Sequence, residues 1–375
     1  MTLNDVALIS MAERGAIPQV PLARRRALRA VRAFFSPLLP DDYLELINPL
    51  WSTRELRGRI ERIDKETADT VTVLIRPGYE WMGHRPGQYL RIGVVIEGVH
   101  HWRAYSLTSE PGRSDGCISI TPKLVDSGKV SPYLVRQARP GDVVRLGGVE
   151  GTFVLPDPAP SKLLFISAGS GITPIMSMLR SLHRADALQD VAHIHSARTA
   201  SDVIFADRLR EIDDAHPGYR LRLRITGEQG RIAPDDLDRV CPDWRRRHAF
   251  LSGPAEMLDA MSEHWEREGV AELLSMERFQ PMIGGDPGGG EGGRVRFAKS
   301  GVDAECDGGT PILVGGEKAG AVLPFGCRMG ICHTCVGKLC AGEVRDLRTG
   351  EVHGNEGEMI RTCVNAPEGP IEIAL

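Results

Sequence analysis

The chain has 375 residues, enough for two or three domains at roughly 150 residues each. Apolar residues make up 42% and charged residues 26%, which supports packed cores and excludes wholesale disorder. Lys plus Arg (46) against Asp plus Glu (50) gives a net charge of −4, without the basic excess of a nucleic-acid binder.

The opening, MTLNDVALIS, has Asp5 and no basic residue ahead of its short apolar run. It predicts no secretory signal and places the protein in the cytoplasm. Residues 1–50 read as an extension. Arg24, Arg25, Arg26, Arg29 and Arg32 stand among Leu22, Leu28, Val31, Phe34 and Phe35 at helical spacing. Such a basic helix either packs on its own chain or offers a patch for the inner face of an anionic membrane or a membrane-bound partner.

Residues 51–156 alternate like strands in six short runs: ELRGRIERI, TVTVLIRP, GQYLRIGVVI, RAYSLTS, GCISITPKL and DVVRLGGV. That spacing predicts a small antiparallel β-barrel, interrupted by one helix at SPYLVRQA. Residues 157–281 change rhythm to strand then helix, beginning with KLLFISA and TPIMSMLRSLHRA. Alternation of this kind predicts an α/β lobe with a parallel sheet. The uncharged run Leu163–Met178 is broken by Gly169, Gly171 and Pro174 and is no membrane span. Residues 282–293 form a Gly-rich linker; its ten residues GGDPGGGEGG span roughly 17 Å as a coil. Residues 294–375 form a third unit.

That unit holds five of the eight cysteines: Cys327, Cys332, Cys335, Cys340 and Cys363. In a reducing compartment, clustering argues for a local chemical site over a disulfide scaffold. Cys327-x4-Cys332-x2-Cys335, with Cys363 following after 27 residues, is the plant-type spacing of a [2Fe–2S] centre. Two irons need four thiolates; a tight loop supplies three and a distant turn the fourth. Gly326 and Gly330 let the backbone fold closely and aim N–H groups at the sulfurs. A zinc ribbon would want a second Cys-x2-Cys, and a thioredoxin-like pair would leave Cys327 and Cys363 unexplained. Cys340 falls outside the pattern and is expected to be a buried thiol, and Cys117, Cys241 and Cys306 to pack as small hydrophobes. The segment, with its strand-like RVRFAKSG and DAECDGG and helix-like TPILVGGEKAG, resembles plant-type ferredoxins and implies an α+β β-grasp domain.

In the barrel segment, Arg103-Ala104-Tyr105-Ser106 offers a fork for phosphate, a ring for stacking and a hydroxyl. It resembles the Arg-x-Tyr-Ser flavin motif of the ferredoxin–NADP reductase family. The resemblance implies FAD, with Arg103 on its phosphate, Tyr105 stacked on its ring and Ser106 near its reactive nitrogen. Gly128-Lys129-Val130-Ser131 precedes a helix that Ser131 is expected to cap, and in the family this segment cradles the pyrophosphate. Gly169-Ser170-Gly171-Ile172-Thr173-Pro174 lies between a strand and a helix, where glycines admit a dinucleotide phosphate. Its Gly-x-Gly-x-x-Pro form resembles the NAD(P) lobe of the same family, with Gly169, Gly171, Thr173 and Pro174 as contacts. Ser252-Gly253-Pro254 stands where family members usually carry Cys-Gly-Pro beside the nicotinamide. Glu277-Arg278-Phe279 resembles the family's Glu-x-aromatic ending, in which the aromatic covers the flavin. Ser106, Ser252 and Glu277 are thereby the candidate catalytic residues. Arg198, after a strand, and Arg231 suit a 2′-phosphate and favour NADPH over NADH.

From residue 53 onward the chain is similar to flavin reductases fused to a C-terminal ferredoxin, such as the phenylacetyl-CoA oxygenase reductase component. Pro37–Tyr43 and Asn48-Pro49-Leu50-Trp51 resemble actinobacterial reductases that serve acyl-CoA desaturases. The resemblance implies hydride entry from NAD(P)H, single-electron exit through the cluster, and delivery first of all to a membrane-bound di-iron fatty-acyl desaturase, with a multicomponent ring-oxygenase or hydroxylase as the alternative acceptor. The 11 His are dispersed, so the terminal oxidation falls to that partner. An iron–sulfur redox sensor is the reading from a different class; it would not need a hydride-entry path.

Overall fold

The computed structural model describes residues 47–52, 54–126, 128–279, 290–325, 330, 334–347 and 349–375. The basic helix expected around Arg24 to Arg32, most of the glycine run, Gly326, Cys327 and Cys332 lie outside the described residues. One compact unit takes in the described residues up to His101 and Tyr105–Glu277, and the second Trp102–Ala104 and Arg278–Leu375.

Six strands build the first half of the larger unit: β1 (Arg57–Lys65), β2 (Val71–Pro77), β3 (Tyr89–Ile96), β4 (Val99–Ser106), β5 (Ile118–Ile120) and β6 (Val143–Glu150). Their order is β4-β3-β6-β1-β2-β5. Leu107, just past β4, bridges Ile120 of β5 in antiparallel sense and brings the two edges together. Alternate residues turn inward. Ile60, Val73, Ile75, Leu90, Ile92 and Ile120 fill the interior, and α1 (Val130–Arg136) plugs it with Leu134.

The second half is the parallel sheet. It contains β7 (Leu163–Ala168), β8 (Val191–Ala197), β9 (Tyr219–Ile225), β10 (His248–Ser252) and β11 (Leu274–Glu277), with α2 (Ile172–Arg184), α3 (Ala206–Ala215) and α4 (Ala255–Arg267) between them. The order β11-β10-β7-β8-β9 reverses between β7 and β10. Buried on both faces, β7 reads as a nearly continuous apolar run, while β8 interleaves its apolar residues with buried His193, His195 and Ser196. One face packs on α2 and α3 through Phe165, Ile175, Leu179 and Leu209. The other packs on α4 through Leu258, Met261 and Trp265, which share one helical stripe with Trp244 beneath it. The four-residue β11 is too short to show a period, and only its pairing with β10 reveals it.

Arg247 ties the strand starts together at the opposite end of this sheet. It is 1% exposed. Its Nη2 donates to Asp190 Oδ1 and Asp243 Oδ2, both at 2.7 Å, and its Nη1 reaches the Leu163 and Asp190 carbonyls at 3.2 Å. Partial burial would raise the Asp190 carboxyl, but bonds and charges from Arg247 and Lys162 outweigh it and hold it low. The Arg247 bonds hold Asp243 lower still.

The smaller unit is a mixed sheet: β12 (Gly293–Phe297), β13 (Val302–Cys306), β14 (Val336–Asp346), β15 (Val352–His353), β16 (Met359–Arg361) and β17 (Asn365–Ile373), crossed by α5 (Ile312–Lys318). The order is β13-β12-β17-β14-β15, with β16 on β14. Only β12 and β17 run parallel among the described pairs. This is the expected β-grasp, and Phe297, Ile312, Leu339 and Ile373 form its core. The end of the glycine run is built into it: Gly292 bridges Glu368. Cys117, Cys241 and Cys306 are buried as expected, whereas Cys340 is only half-buried, its Sγ 3.7 Å from the Lys338 carbonyl.

Replacing Arg247 with Ala removes the buried partner of Asp190 and Asp243 and leaves them only the more exposed Lys162 and Arg220. The lobe should lose about 3 kcal/mol of stability, measured by urea denaturation at neutral pH. Both carboxyls are lowered in the fold, so the contribution is complete at neutral pH and fades as pH falls below about 4. The variant and the wild type should therefore converge in acid.

Candidate functional site

The structure sets the flavin motif at the end of β4. Tyr105 packs against the barrel core and Ser106 is buried. The segment that follows is pinned by β5 and its neighbours. Leu107 N–H donates to the Gln88 carbonyl at 2.9 Å, and Thr108 N–H to the Ser119 carbonyl at 2.8 Å. Arg103 Nη1 donates to the Trp102 carbonyl at 3.0 Å. At the second flavin element the structure differs from the sequence reading. α1 starts at Val130, with Lys129 in the capping place and no side-chain cap. Ser131 lies inside the helix, where its buried hydroxyl accepts from the Val125 N–H at 3.1 Å. Gly128 N–H returns to the Val125 carbonyl at 2.8 Å. Ser131 thus folds the loop onto the helix from within rather than capping it.

The nucleotide elements meet where the strand order reverses. Gly169–Gly171 forms a single 3₁₀ turn after β7 and leads straight into α2, with buried Thr173 donating to the Ser170 carbonyl at 2.9 Å. Pro174 sits in the first turn of α2, where a missing N–H costs nothing. Register places Ser167 beside Ser252, and Ser252 beside Glu277. The ends of β7, β10 and β11 therefore present Gly169, Gly253 and Glu277 in a row. A Cβ on Gly171 would fall 2.1 Å from the Ser252 carbonyl oxygen, so the two turns touch backbone to backbone. On the outer side, a Cβ on Gly169 would meet nothing within 4 Å. A tight inner contact with an open outer face suits a dinucleotide laid across the crevice.

Two hydroxyls at the strand ends, Ser252 Oγ and Ser196 Oγ, are buried without a hydrogen-bond partner. Such groups are costly unless something satisfies them. Burial also pushes the Glu277 carboxyl up to about 7. Arg198 lies past β8, 75% exposed, with Nε only 3.7 Å from Asp202. Gly227 N–H donates to its carbonyl at 3.1 Å. Arg231 is ion-paired with Glu256. Pro254 precedes α4, and Phe279 follows β11 by two residues.

Sequence reading missed a buried relay beneath the nucleotide turn. Tyr219 OH meets His193 Nδ1 at 2.7 Å, and Ser167 Oγ meets His193 Nε2 at 3.0 Å and His195 Nδ1 at 2.8 Å. Burial lowers both histidines, His195 to about 4, so both are neutral at physiological pH. The alternation of His193 and His195 on one strand was the available signal.

In the smaller unit, antiparallel pairing of Val336 with Arg361 brings the segments that carry Cys335 and Cys363 to the same end of β14 and β16, with Thr362 opposite Cys335. Both cysteines are buried. Thr362 donates to the Cys335 carbonyl from its N–H at 3.1 Å and its Oγ1 at 2.8 Å. Arg361 Nη1 holds the Gly330 carbonyl at 2.9 Å. Gly330, at φ +70°, donates its N–H to Cys363 Sγ at 3.2 Å. Only glycine adopts that backbone without strain. An amide aimed at a buried sulfur fits a thiolate-bound cluster, whose added charge such bonds stabilise.

Barrel, doubly wound lobe and cysteine-bearing β-grasp together define a flavin-dependent, pyridine-nucleotide oxidoreductase with an iron–sulfur module. The family comparisons agree. The oxidoreductase FAD-binding domain matches residues 60–155, the oxidoreductase NAD-binding domain residues 165–263, and the 2Fe-2S iron-sulfur cluster binding domain residues 295–368. The chain belongs to the family of ferredoxin–NADP reductase-like flavoproteins with a C-terminal [2Fe–2S] domain. It is 47% identical over 347 residues to an NADPH oxidoreductase of Mycobacterium tuberculosis (strain ATCC 25618 / H37Rv), covering 92% of this chain and 90% of that one. It is 27% identical to one component of the 1,2-phenylacetyl-CoA epoxidase of Escherichia coli (strain K12), covering 76% and 86%. Phthalate dioxygenase reductase shares its fold at a TM-score of 0.55 and 20% identity, over 85% of this chain and 97% of that one. FAD, NAD(P)H and a [2Fe–2S] cluster are its cofactors.

The Glu277 carboxyl predicts a stability slope of definite sign. Its ordinary value is 4.5 and its folded value about 7. Between these the folded state holds the proton and the unfolded state does not, so stability falls as pH rises. Glu277→Gln should remove a fall on the order of 2 kcal/mol, read from denaturation curves at about pH 5 and about pH 8.

Proposed function

We propose that the protein draws electrons from NADPH and delivers them to the terminal component of an oxygenase. When bound, the flavin takes up two electrons together as hydride and the cluster passes them on singly. The chain's own residues bind and orient. The turn at Gly169–Gly171 and the start of α2 hold the dinucleotide phosphates, with Thr173 and Pro174 setting that first turn. Gly253 and Pro254 shape the nicotinamide pocket, with Ser252 Oγ as the hydroxyl its amide would satisfy. Glu277, raised to about 7 by burial, closes the far side and can donate or take a proton there near neutral pH. Arg103, Tyr105, Ser106 and the Gly128-Lys129-Val130-Ser131 loop hold FAD, and Phe279 covers it. Cys327, Cys332, Cys335 and Cys363 hold the cluster.

The observation that carries this reading is the meeting of the Gly169–Gly171 turn with Ser252–Gly253, beside Glu277, at the reversal of strand order. A complete hydride-entry crevice is what a redox sensor would lack a use for. The names of the mycobacterial relative and of the epoxidase component support NADPH and an oxygenating partner respectively. The desaturase reading leans on Pro37–Tyr43, outside the described residues, and on Asn48–Trp51, a short turn. No relative named above favours it.

Purified protein should reduce ferricyanide and cytochrome c with NADPH. Cys363→Ser should lose the iron absorbance and cytochrome c reduction while NADPH still bleaches the flavin. A wild-type protein that cannot turn over with either nucleotide would sink the reductase reading. Reconstitution with candidate oxygenase components, scored by substrate oxidation, identifies the acceptor.

Arg198 supplies the nucleotide preference. A guanidinium on a 2′-phosphate contributes roughly 1.5–3 kcal/mol. Arg198→Ala should therefore raise KM for NADPH about tenfold or more and leave KM for NADH within about twofold. Equal effects on both would remove Arg198 from this role.

A further inference from the structure

The helix that begins at the nucleotide turn also grips the flavin strand. α2 leaves Gly171 and presents Ser177, Arg180 and Arg184 at spacings of three and four, along one face. Ser177 Oγ donates to the Ser109 carbonyl at 2.7 Å, and Arg180 Nη1 to the Thr108 carbonyl at 2.7 Å. Arg184 Nη1 donates to the Pro111 and Gly112 carbonyls, each at 2.9 Å. These acceptors continue directly from Tyr105 and Ser106. Their other side is held by β5: Thr108 Oγ1 meets Ser119 Oγ at 2.8 Å, and Ser119 N–H donates to Ser109 Oγ at 3.1 Å.

A second tie runs through Phe205. The Arg180 guanidinium sits 5.3 Å from the centroid of its ring. Phe205 stands at φ +62°, a left-handed backbone that costs a non-glycine residue energy. Its N–H donates to Glu66 Oε2 at 3.2 Å, and Glu66 Oε1 accepts from Thr72 on β2 at 2.6 Å. Barrel and lobe are thus joined twice around the Arg180 guanidinium, directly at Thr108 and through Phe205 at Glu66.

Arg180 is an uneconomical choice for stability alone. Burial lowers its pKa, and among the described residues it forms no ion pair, only a bond to a neutral carbonyl and a ring contact. Glu110 and Glu66 are near enough to act on its charge but form no direct ion pair with it, so the desolvated cation is only partly compensated where an apolar side chain of similar size would pack.

We propose that Arg180, supported by Ser177, is a positioning residue for hydride transfer: it fixes the flavin-bearing end of β4 relative to the nucleotide-bearing start of α2. This rests on the reading of those two elements given above. In that step one hydride, carrying two electrons, leaves NADPH, NADP⁺ remains, and the flavin gains the hydride's charge. Reacting atoms must stand about 3–3.5 Å apart, and a misplacement of about 1 Å costs on the order of a hundredfold.

The test is anaerobic stopped-flow reduction of the full-length flavoprotein by NADPH. Arg180→Met keeps the packing volume and removes the donor. It should lower the limiting rate of flavin bleaching about tenfold or more, while half-saturating NADPH stays within about twofold and bound FAD per chain is unchanged. Arg180→Lys, which can still reach the Thr108 carbonyl, should recover most of the loss. A limiting rate for Arg180→Met within about twofold of wild type overturns the proposal. Should Arg180→Met lose FAD or its thermal midpoint, Ser177→Ala decides. A fall of about threefold or more in its limiting rate at full FAD content supports the proposal, and anything smaller overturns it. Wild-type flavin that neither NADPH nor NADH bleaches refutes the functional reading itself, a separate result.

Discussion

The nucleotide lobe depends on one close approach, the backbone of Gly171 against that of Ser252 and Gly253. β7 and β10 are neighbours although two strands and their helices separate them in sequence. Their carboxyl ends can share a crevice only if the turns leaving them do not collide. A side chain at position 171 would force them apart, and the strand pairing that sets Glu277 beside Ser252 would lose its register with them. α2 starts at the same turn, so the approach also fixes where the grip of Ser177 and Arg180 on the barrel begins. Fold, crevice and barrel contact are one geometric problem with one solution.

Polar groups are spent unevenly around this point. At the amino ends of the strands, Arg247 uses every donor on carboxylates and carbonyls, and that end is closed. At the carboxyl ends, Ser196 Oγ and Ser252 Oγ lack partners and Glu277 keeps its proton nearly to neutrality. Around this sheet, the groups at the closed end are satisfied within the fold, whereas the hydroxyls at the crevice are left for a ligand. The neutral relay of Tyr219, Ser167, His193 and His195 belongs to the first kind, apart from His195 Nε2, which is buried without a partner. The small net charge of −4 is consistent with this economy, because no face needs a large field to bind a dinucleotide in a crevice.

Much of the architecture was legible because each element repeats over a useful length. Period-two strands announced the barrel, strand–helix alternation the lobe, and cysteine spacing the cluster. Three features were not legible, for different physical reasons. β11 has four residues, too few for any period, and exists through its pairing with β10. Ser131 has the composition of a cap but serves inside the helix, because Lys129 and Val130 already continue the helical backbone and its hydroxyl finds the Val125 N–H. The Arg180 grip joins residues 72 positions apart, and a lone arginine on an amphipathic helix reads as a solvated charge. Local pattern reports periodicity and turn chemistry; it is silent on contacts made once, at long range.

The cysteine site shows how such a contact can still be anticipated. Cys335 and Cys363 are distant in sequence, and the β14–β16 pairing brings the segments that carry them together. Chemistry supplied what local pattern could not: two irons require four thiolates, so a fourth cysteine had to return to the loop. The structure adds the means of return. Residues 361–363 reach across three times, through Arg361 to the Gly330 carbonyl, Thr362 to the Cys335 carbonyl, and Cys363 Sγ from the Gly330 N–H. Each bond uses a different residue, and each joins the strand turn to the loop. Cys335 and Cys363 are held by the same pairing and bonds that build this sheet, so metal binding through them would be coupled to folding of the unit.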